Sequence, residues 1–214
     1  MAFLEPIILY LVLFFPGLTS GYIPAEAIIT FSAFRELARL FTYVIPALAL
    51  IWYLILEKNS LPLSMRDIRI KKADGISFII GLPLLILAGA FVSLLMNKIN
   101  PDLALPAVQA PENITGWIIL AVSCTGTGYL EESFFRFYLL QKLYEWIPSG
   151  WIRVLFSVLL FALCHAYEGP WGILNAAIAG LILSILFMRY RTIHGIVWSH
   201  ACYNAFVYVM GIFV

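Results

Sequence analysis

Charge is scarce in this chain. Asp, Glu, Lys and Arg make up only 12% of its 214 residues, about half the share of an ordinary soluble domain. The formal net charge is +1 and no basic run is longer than Lys71-Lys72. The clustered positive footprint of a nucleic-acid binder is therefore missing, and no nucleic-acid partner is expected. Three cysteines, Cys124, Cys164 and Cys202, all fall in apolar stretches. They are too few for a disulfide framework and read as small apolar residues. No internal repeat, low-complexity tract or domain-sized polar stretch occurs. The first apolar run opens on Glu5-Pro6 without a basic leader, which favours a retained span over a secretory signal.

Apolar sequence is abundant instead. Hydrophobic residues account for 63% of the chain. A helix needs about 20 mostly apolar residues to cross a bilayer, because its backbone polar groups must be satisfied within the segment. Seven stretches qualify by this reading: 3–18, 40–56, 76–96, 117–146, 151–167, 171–188 and 193–214. The stretch 24–39, with Glu26, Arg35, Glu36 and Arg39, reads as an interfacial helix, an extension of the second span, or an eighth span. The expected fold is all-α, a polytopic transmembrane bundle forming one integral membrane domain over 1–214. Lys58, Arg66, Arg69, Lys71 and Lys72 sit in one loop, on the same side by alternation as the turns at Pro148 and Arg189–Arg191. The positive-inside rule makes that side cytoplasmic, with the N-terminus cytoplasmic and the C-terminus outside.

Ionisable residues at membrane depth are expensive and retained mainly for sites, relays or pathways. The fourth span carries Glu131, Glu132 and Arg136. Glu132 and Arg136 are four apart on one helical face and suit an ion pair. Glu131 is turned about 100° from Glu132 and has no local cation. One carboxylate looks structural and the other available. His165 lies as far beyond Pro148 as Glu131 lies before it, so continuous helices would set both about 25 Å from that turn. His200 and Asn204 share a face of the last span. Each of these has a plain alternative: a single intramembrane His often only bridges helices, Glu132–Arg136 could be packing, and Phe161 could be packing beside His165. His194 points away from His200 and reads as structural. Asn175 and Glu168 carry no assignment, and Asn113-Ile114-Thr115 matches a glycosylation triplet of a kind common by chance.

The combination is more specific than its parts. Glu131-Glu132-x-x-x-Arg136, Phe161-x-x-x-His165 and His200-x-x-x-Asn204 resemble, in order and spacing, the three motifs of the CAAX-protease and bacteriocin-processing (CPBP, or Abi) family. That family includes the type II CAAX prenyl endopeptidases. The resemblance covers 116–214, the expected catalytic core, and the short chain suggests a bacterial or archaeal cell membrane. It implies a metal-independent glutamic intramembrane protease without a cofactor. Glu131 would be the general base, His165 would help hold the water, and His200 and Asn204 would donate to the oxyanion. Glu132, Arg136 and Phe161 would support the site. The expected partners are the lipid bilayer and a membrane-bound protein or peptide substrate, lipidated or not. Three other readings stay open: a zinc protease using Glu131, His165 and His200, a cysteine protease built on Cys164 or Cys202, and an inactive scaffold, immunity or transport protein.

Overall fold

The computed structural model describes residues 4–24, 27–57, 68–99 and 107–212. Lys58, Arg66 and Glu26 lie outside them. Seven long helices run through the described residues. They are α1 (Leu4–Thr19), α2 (Ala33–Glu57), α3 (Lys72–Ile99), α4 (114–143), α5 (Gly150–Leu163), α6 (Gly169–Tyr190) and α7 (His194–Met210). The segment 33–39 is the extended start of α2. Helices α3 and α7, α4 and α7, and α5 and α6 pack side by side, with α3 also against α6.

Local chemistry explains the helix limits. Ser32, Asn113 and Ser149 cap α2, α4 and α5 with their side-chain oxygens, satisfying amides that open a helix without partners. The Asn113 oxygen accepts the Gly116 N–H at 2.9 Å, so the glycosylation triplet begins on a helix cap. Helix α6 ends on Arg191, the one described non-glycine residue with positive φ (54°). Large apolar side chains on the outside, among them Ile79, Leu87, Leu94, Leu155 and Leu159, are exposed. Apolar cover on this scale belongs in lipid. Three helices, Ala33–Glu57, Lys72–Ile99 and Ala166–Tyr190, are long and apolar enough to cross a membrane by themselves.

The termini of the helices sort by charge. His194 bonds the Ile68 carbonyl through Nε2 (2.5 Å) and the Tyr129 hydroxyl through Nδ1 (2.8 Å), which fits the structural reading of this histidine. Fully buried Asp74 accepts the Lys71 N–H at 2.7 Å and the Gly195 N–H at 2.9 Å. One carboxylate thus serves the N-termini of both α3 and α7, where helix dipoles favour negative charge. These contacts hold 68–74 beside 190–195, gathering Arg69, Lys71, Lys72, Arg189 and Arg191 at one end. At the other end, two-residue strands β1 (Ile28–Ile29) and β2 (Ala107–Val108) pair in parallel. Asp74→Ala should remove two charge-assisted bonds and lower stability by about 3 kcal/mol. Thermal unfolding in detergent measures it, and an unchanged transition would contradict this role.

Candidate active site

Helix α4 brings the acids to the core through an irregular stretch. Residues Ser133–Leu139 form a wide π-type turn and all are buried, a distortion that often marks functional positions. Phe134 and Phe135 point into an aromatic cluster with Tyr10 and Phe14 of α1, with Phe14 centroids 5.1 and 4.8 Å away. The Ser157 hydroxyl donates to the Phe135 carbonyl at 3.0 Å, tying α5 to this turn. On the opposite side, a Cβ added to Gly128 would stand 3.3 Å from the Val197 carbonyl. That close approach of α4 and α7 sets Glu132, one turn after Gly128, against His200, nearly one turn after Val197.

Glu132 is completely buried, as is Arg136, and they pair at 3.1 Å. The same Oε1 accepts from His200 Nδ1 at 2.8 Å. A carboxylate oxygen can only accept, so Nδ1 carries the proton in this bond. Arg136 Nη2 donates to the Gly180 carbonyl at 3.1 Å, which also accepts from Ser184 at 2.7 Å. The guanidinium lies over the Phe161 ring, 4.4 Å from its centroid. A methyl on Gly180 would come within 3.0 Å of Phe161 and 3.2 Å of Arg136. A side chain at 180 would press on both and require them to shift by a few tenths of an ångström.

Glu131 differs in exposure and in its partners, although the Oε2 of both acids lacks a hydrogen-bond partner among the described residues. Its side chain is 15% exposed and its Oε2 lies 3.7 Å from His200 Nε2, beyond hydrogen-bond reach. That buried oxygen has no hydrogen-bond partner among the described residues. His200 therefore faces both glutamates, bonded to one and near the other.

His165 sits where a helix stops. The fifth span was expected to reach Tyr167, but α5 ends at Leu163, and His165 has left helical geometry at φ −101°, ψ 14°. With 14 residues, α5 is about 21 Å long, short of the roughly 30 Å hydrocarbon core. A single tight turn, Ala166–Glu168, and Gly169 at φ 78° then lead into α6. Helix α1 crosses this point so closely that a Cβ on Gly17 would stand 2.1 Å from the Cys164 carbonyl oxygen. Irregular backbone at membrane depth is tolerated only when buried in protein or lining a wet cavity. His165 Nδ1 donates to the Phe161 carbonyl at 2.8 Å, which leaves Nε2 without a hydrogen-bond partner among the described residues. Phe161 touches His165 (4.8 Å) and His200 (6.0 Å) as well as Arg136, and so joins all three motifs.

Asn204 lies one turn beyond His200 on α7 and is half-buried; its side chain makes no hydrogen bond among the described residues. Asn175 accepts from the Tyr203 hydroxyl at 3.2 Å. Cys164 Sγ donates to the Phe161 carbonyl at 3.1 Å and lies 3.5 Å from His165 Nδ1. That imidazole nitrogen is already committed, which disfavours a thiol–imidazole nucleophile. Among the described residues, no three His, Cys, Asp or Glu side chains form a group that could hold a metal ion.

Residues 113–206 match the family model described as Type II CAAX prenyl endopeptidase Rce1-like. Over this segment the chain is similar to that family. The match contains every residue of the cluster, from Glu131 to Asn204. No curated protein and no solved structure gives a match. Gly128 and Gly180 lie within the matched segment as close-packing positions that sequence reasoning missed; Gly180 had a signal in its four-residue spacing from Ser184, and Gly128 had none.

Proposed function

We propose that this protein is an intramembrane glutamic endopeptidase that hydrolyses a peptide bond of a membrane-anchored substrate, a CAAX-type tail or a similarly anchored precursor. The observation that carries this reading is the division of the paired acids. Each acid keeps an Oε2 without a hydrogen-bond partner, but Glu132 is fully buried and tied through Oε1 to Arg136 and His200, whereas Glu131 makes no hydrogen bond among the described residues and is 15% exposed. A general base must have a free lone pair within reach of the water it deprotonates.

The steps follow from the donors and acceptors. Glu131 takes a proton from a water oriented by the free Nε2 of His165, and the resulting hydroxide attacks the substrate carbonyl. The developing oxyanion requires N–H donors. His200 can supply one from Nε2 only as imidazolium, since its Nδ1 proton is already given to Glu132. Glu131 and Glu132 flank the ring as counter-charges for that form, and Arg136 balances the second negative charge. The Asn204 amide, without a bond in the described structure, supplies the other donor. Each such donor contributes about 3 kcal/mol in comparable sites. Glu131, now protonated, returns its proton to the leaving amine.

Purified protein in liposomes is expected to cleave a farnesylated CAAX-tail reporter. Turnover should persist after dialysis against phenanthroline, with no stoichiometric zinc by elemental analysis. Zinc that leaves with activity and returns with it would contradict the metal-free mechanism. The chain is expected to lie in a bacterial or archaeal cell membrane with its basic end cytoplasmic, which labelling of a Cys placed at Lys71 from either side would check.

A further inference from the structure

At the basic end of the bundle, between the end of α4, the start of α5 and the end of α6, lies a cavity of about 280 Å³. Gln141, Tyr144, Gly150, Arg153, Met188 and Arg191 line it, and no Asp or Glu does. Arg153 is held in place: Nη1 donates to the carbonyls of Ile147 (2.7 Å) and Pro148 (3.0 Å), and the guanidinium lies 4.8 Å from the Tyr144 ring centroid. Its Nη2 sits at the first turn of α5, 3.6 Å from where a Cβ on Gly150 would stand.

Arg191 approaches from the opposite wall on its left-handed backbone. Its guanidinium has no hydrogen bond or ion pair among the described residues. Gln141 supplies a second, independent sign. Its side chain belongs to a residue only 7% exposed, yet its amide has no hydrogen-bond partner among the described residues. The amide is thus accessible from the cavity that Gln141 lines and free to bond an occupant.

The neighbouring acids are occupied. Glu145 pairs with Lys142 at 2.9 Å, and Asp74 is spent on two backbone amides. Among the described residues no acid pairs with Arg153 or Arg191, and the opening N–H groups of α5 that Ser149 does not cap lie beside them. Guanidinium pairs are suited to the oxygens of a phosphate. The apolar part of the wall, Met188 and the adjoining Phe187, suits the glycerol backbone and acyl chains of a lipid better than it suits water.

We propose that this cavity is a binding site for the phosphate of an anionic phospholipid headgroup at the membrane surface. Arg153 and Arg191 hold the phosphate oxygens and the Gln141 amide donates to them. Basic recesses between transmembrane helices recognise such headgroups at the cytoplasmic face. The site is separate from the Glu131 cluster and does not depend on the peptidase reading.

The test uses the full chain reconstituted in vesicles of equal parts dioleoylphosphatidylglycerol and dioleoylphosphatidylcholine, then released for native mass spectrometry. Wild type should retain phosphatidylglycerol over phosphatidylcholine by about thirtyfold, the scale of two basic contacts at a membrane surface. Arg191→Gln should sharply reduce that preference, and Arg153→Gln with Arg191→Gln should abolish it. Arg189→Gln, outside the cavity, should leave it intact. If the double variant loses its fold, Arg191→Gln alone decides, because its side chain holds nothing else among the described residues. No lipid preference in wild type, or one unaffected by Arg191→Gln, would overturn the site. Inorganic phosphate bound without any preference for the anionic lipid would overturn the assignment to a headgroup.

Discussion

Glu131→Gln is expected to lower kcat at least a thousandfold while leaving the melting transition almost where it was. The substitution keeps shape and volume but removes the basic lone pair, and general-base contributions run to about 10²–10⁴. Little stability should go with it. Glu131 Oε2 has no hydrogen bond among the described residues and stands 3.7 Å from His200, so the folded state depends on it weakly. The loss should amount to less than about 1 kcal/mol. Cleavage of the farnesylated reporter and thermal denaturation of the same preparation give the two quantities. A variant that retained turnover, or that unfolded before it could be assayed, would remove Glu131 from the role of base.

The neighbouring acid should behave in the opposite way. Glu132→Gln and Arg136→Ala each strand a fully buried partner, and breaking one side of a buried ion pair typically costs about 3–5 kcal/mol. Arg136→Ala also removes the cation beneath Phe161 and the bond to Gly180. Activity should fall with stability, because His200 loses its anchor. Removing both charges should be gentler: Glu132→Gln with Arg136→Met is expected to melt higher than Arg136→Met alone. If the double change proved as damaging as the sum, packing of Arg136 rather than charge pairing would explain the loss.

Much of this organisation was legible in the chain because two strong constraints act on it. Lipid demands long apolar helices, and those helices make every buried charge conspicuous. Seven spans and the cluster Glu131, Glu132, Arg136, His165, His200 emerged from that contrast. The Glu132–Arg136 pair could be inferred from helical spacing alone, since residues four apart share a face. Less could be read where regular geometry fails. The equal-depth argument for Glu131 and His165 assumed continuous helices, whereas α4 widens at Ser133–Leu139 and α5 ends at Leu163. No periodicity announces such breaks, since Phe134, Phe135 and Leu163 are as apolar as the residues around them.

His200 shows a second limit. Its spacing placed it on one face with Asn204 and the family resemblance implied a pair of oxyanion donors, but its bond to Glu132 Oε1 depends on how close α4 comes to α7. That distance is set by Gly128 against Val197, a tertiary contact without a signature in either helix. The unbonded Gln141 amide and the Arg191 guanidinium likewise become informative only once α4, α5 and α6 are seen to enclose one cavity.

In the proposed mechanism Glu131 and His165 act on one and the same water, so their contributions to the rate must be coupled. The most direct test is the coupling between Glu131→Gln and His165→Ala, read from kcat on the farnesylated reporter for wild type, each single variant and the double variant. Residues that operate as a unit lose their effect together. The double variant is therefore expected to be no slower than Glu131→Gln alone. Losses that multiply would contradict the mechanism, by showing that the two side chains contribute independently and that no shared water joins them.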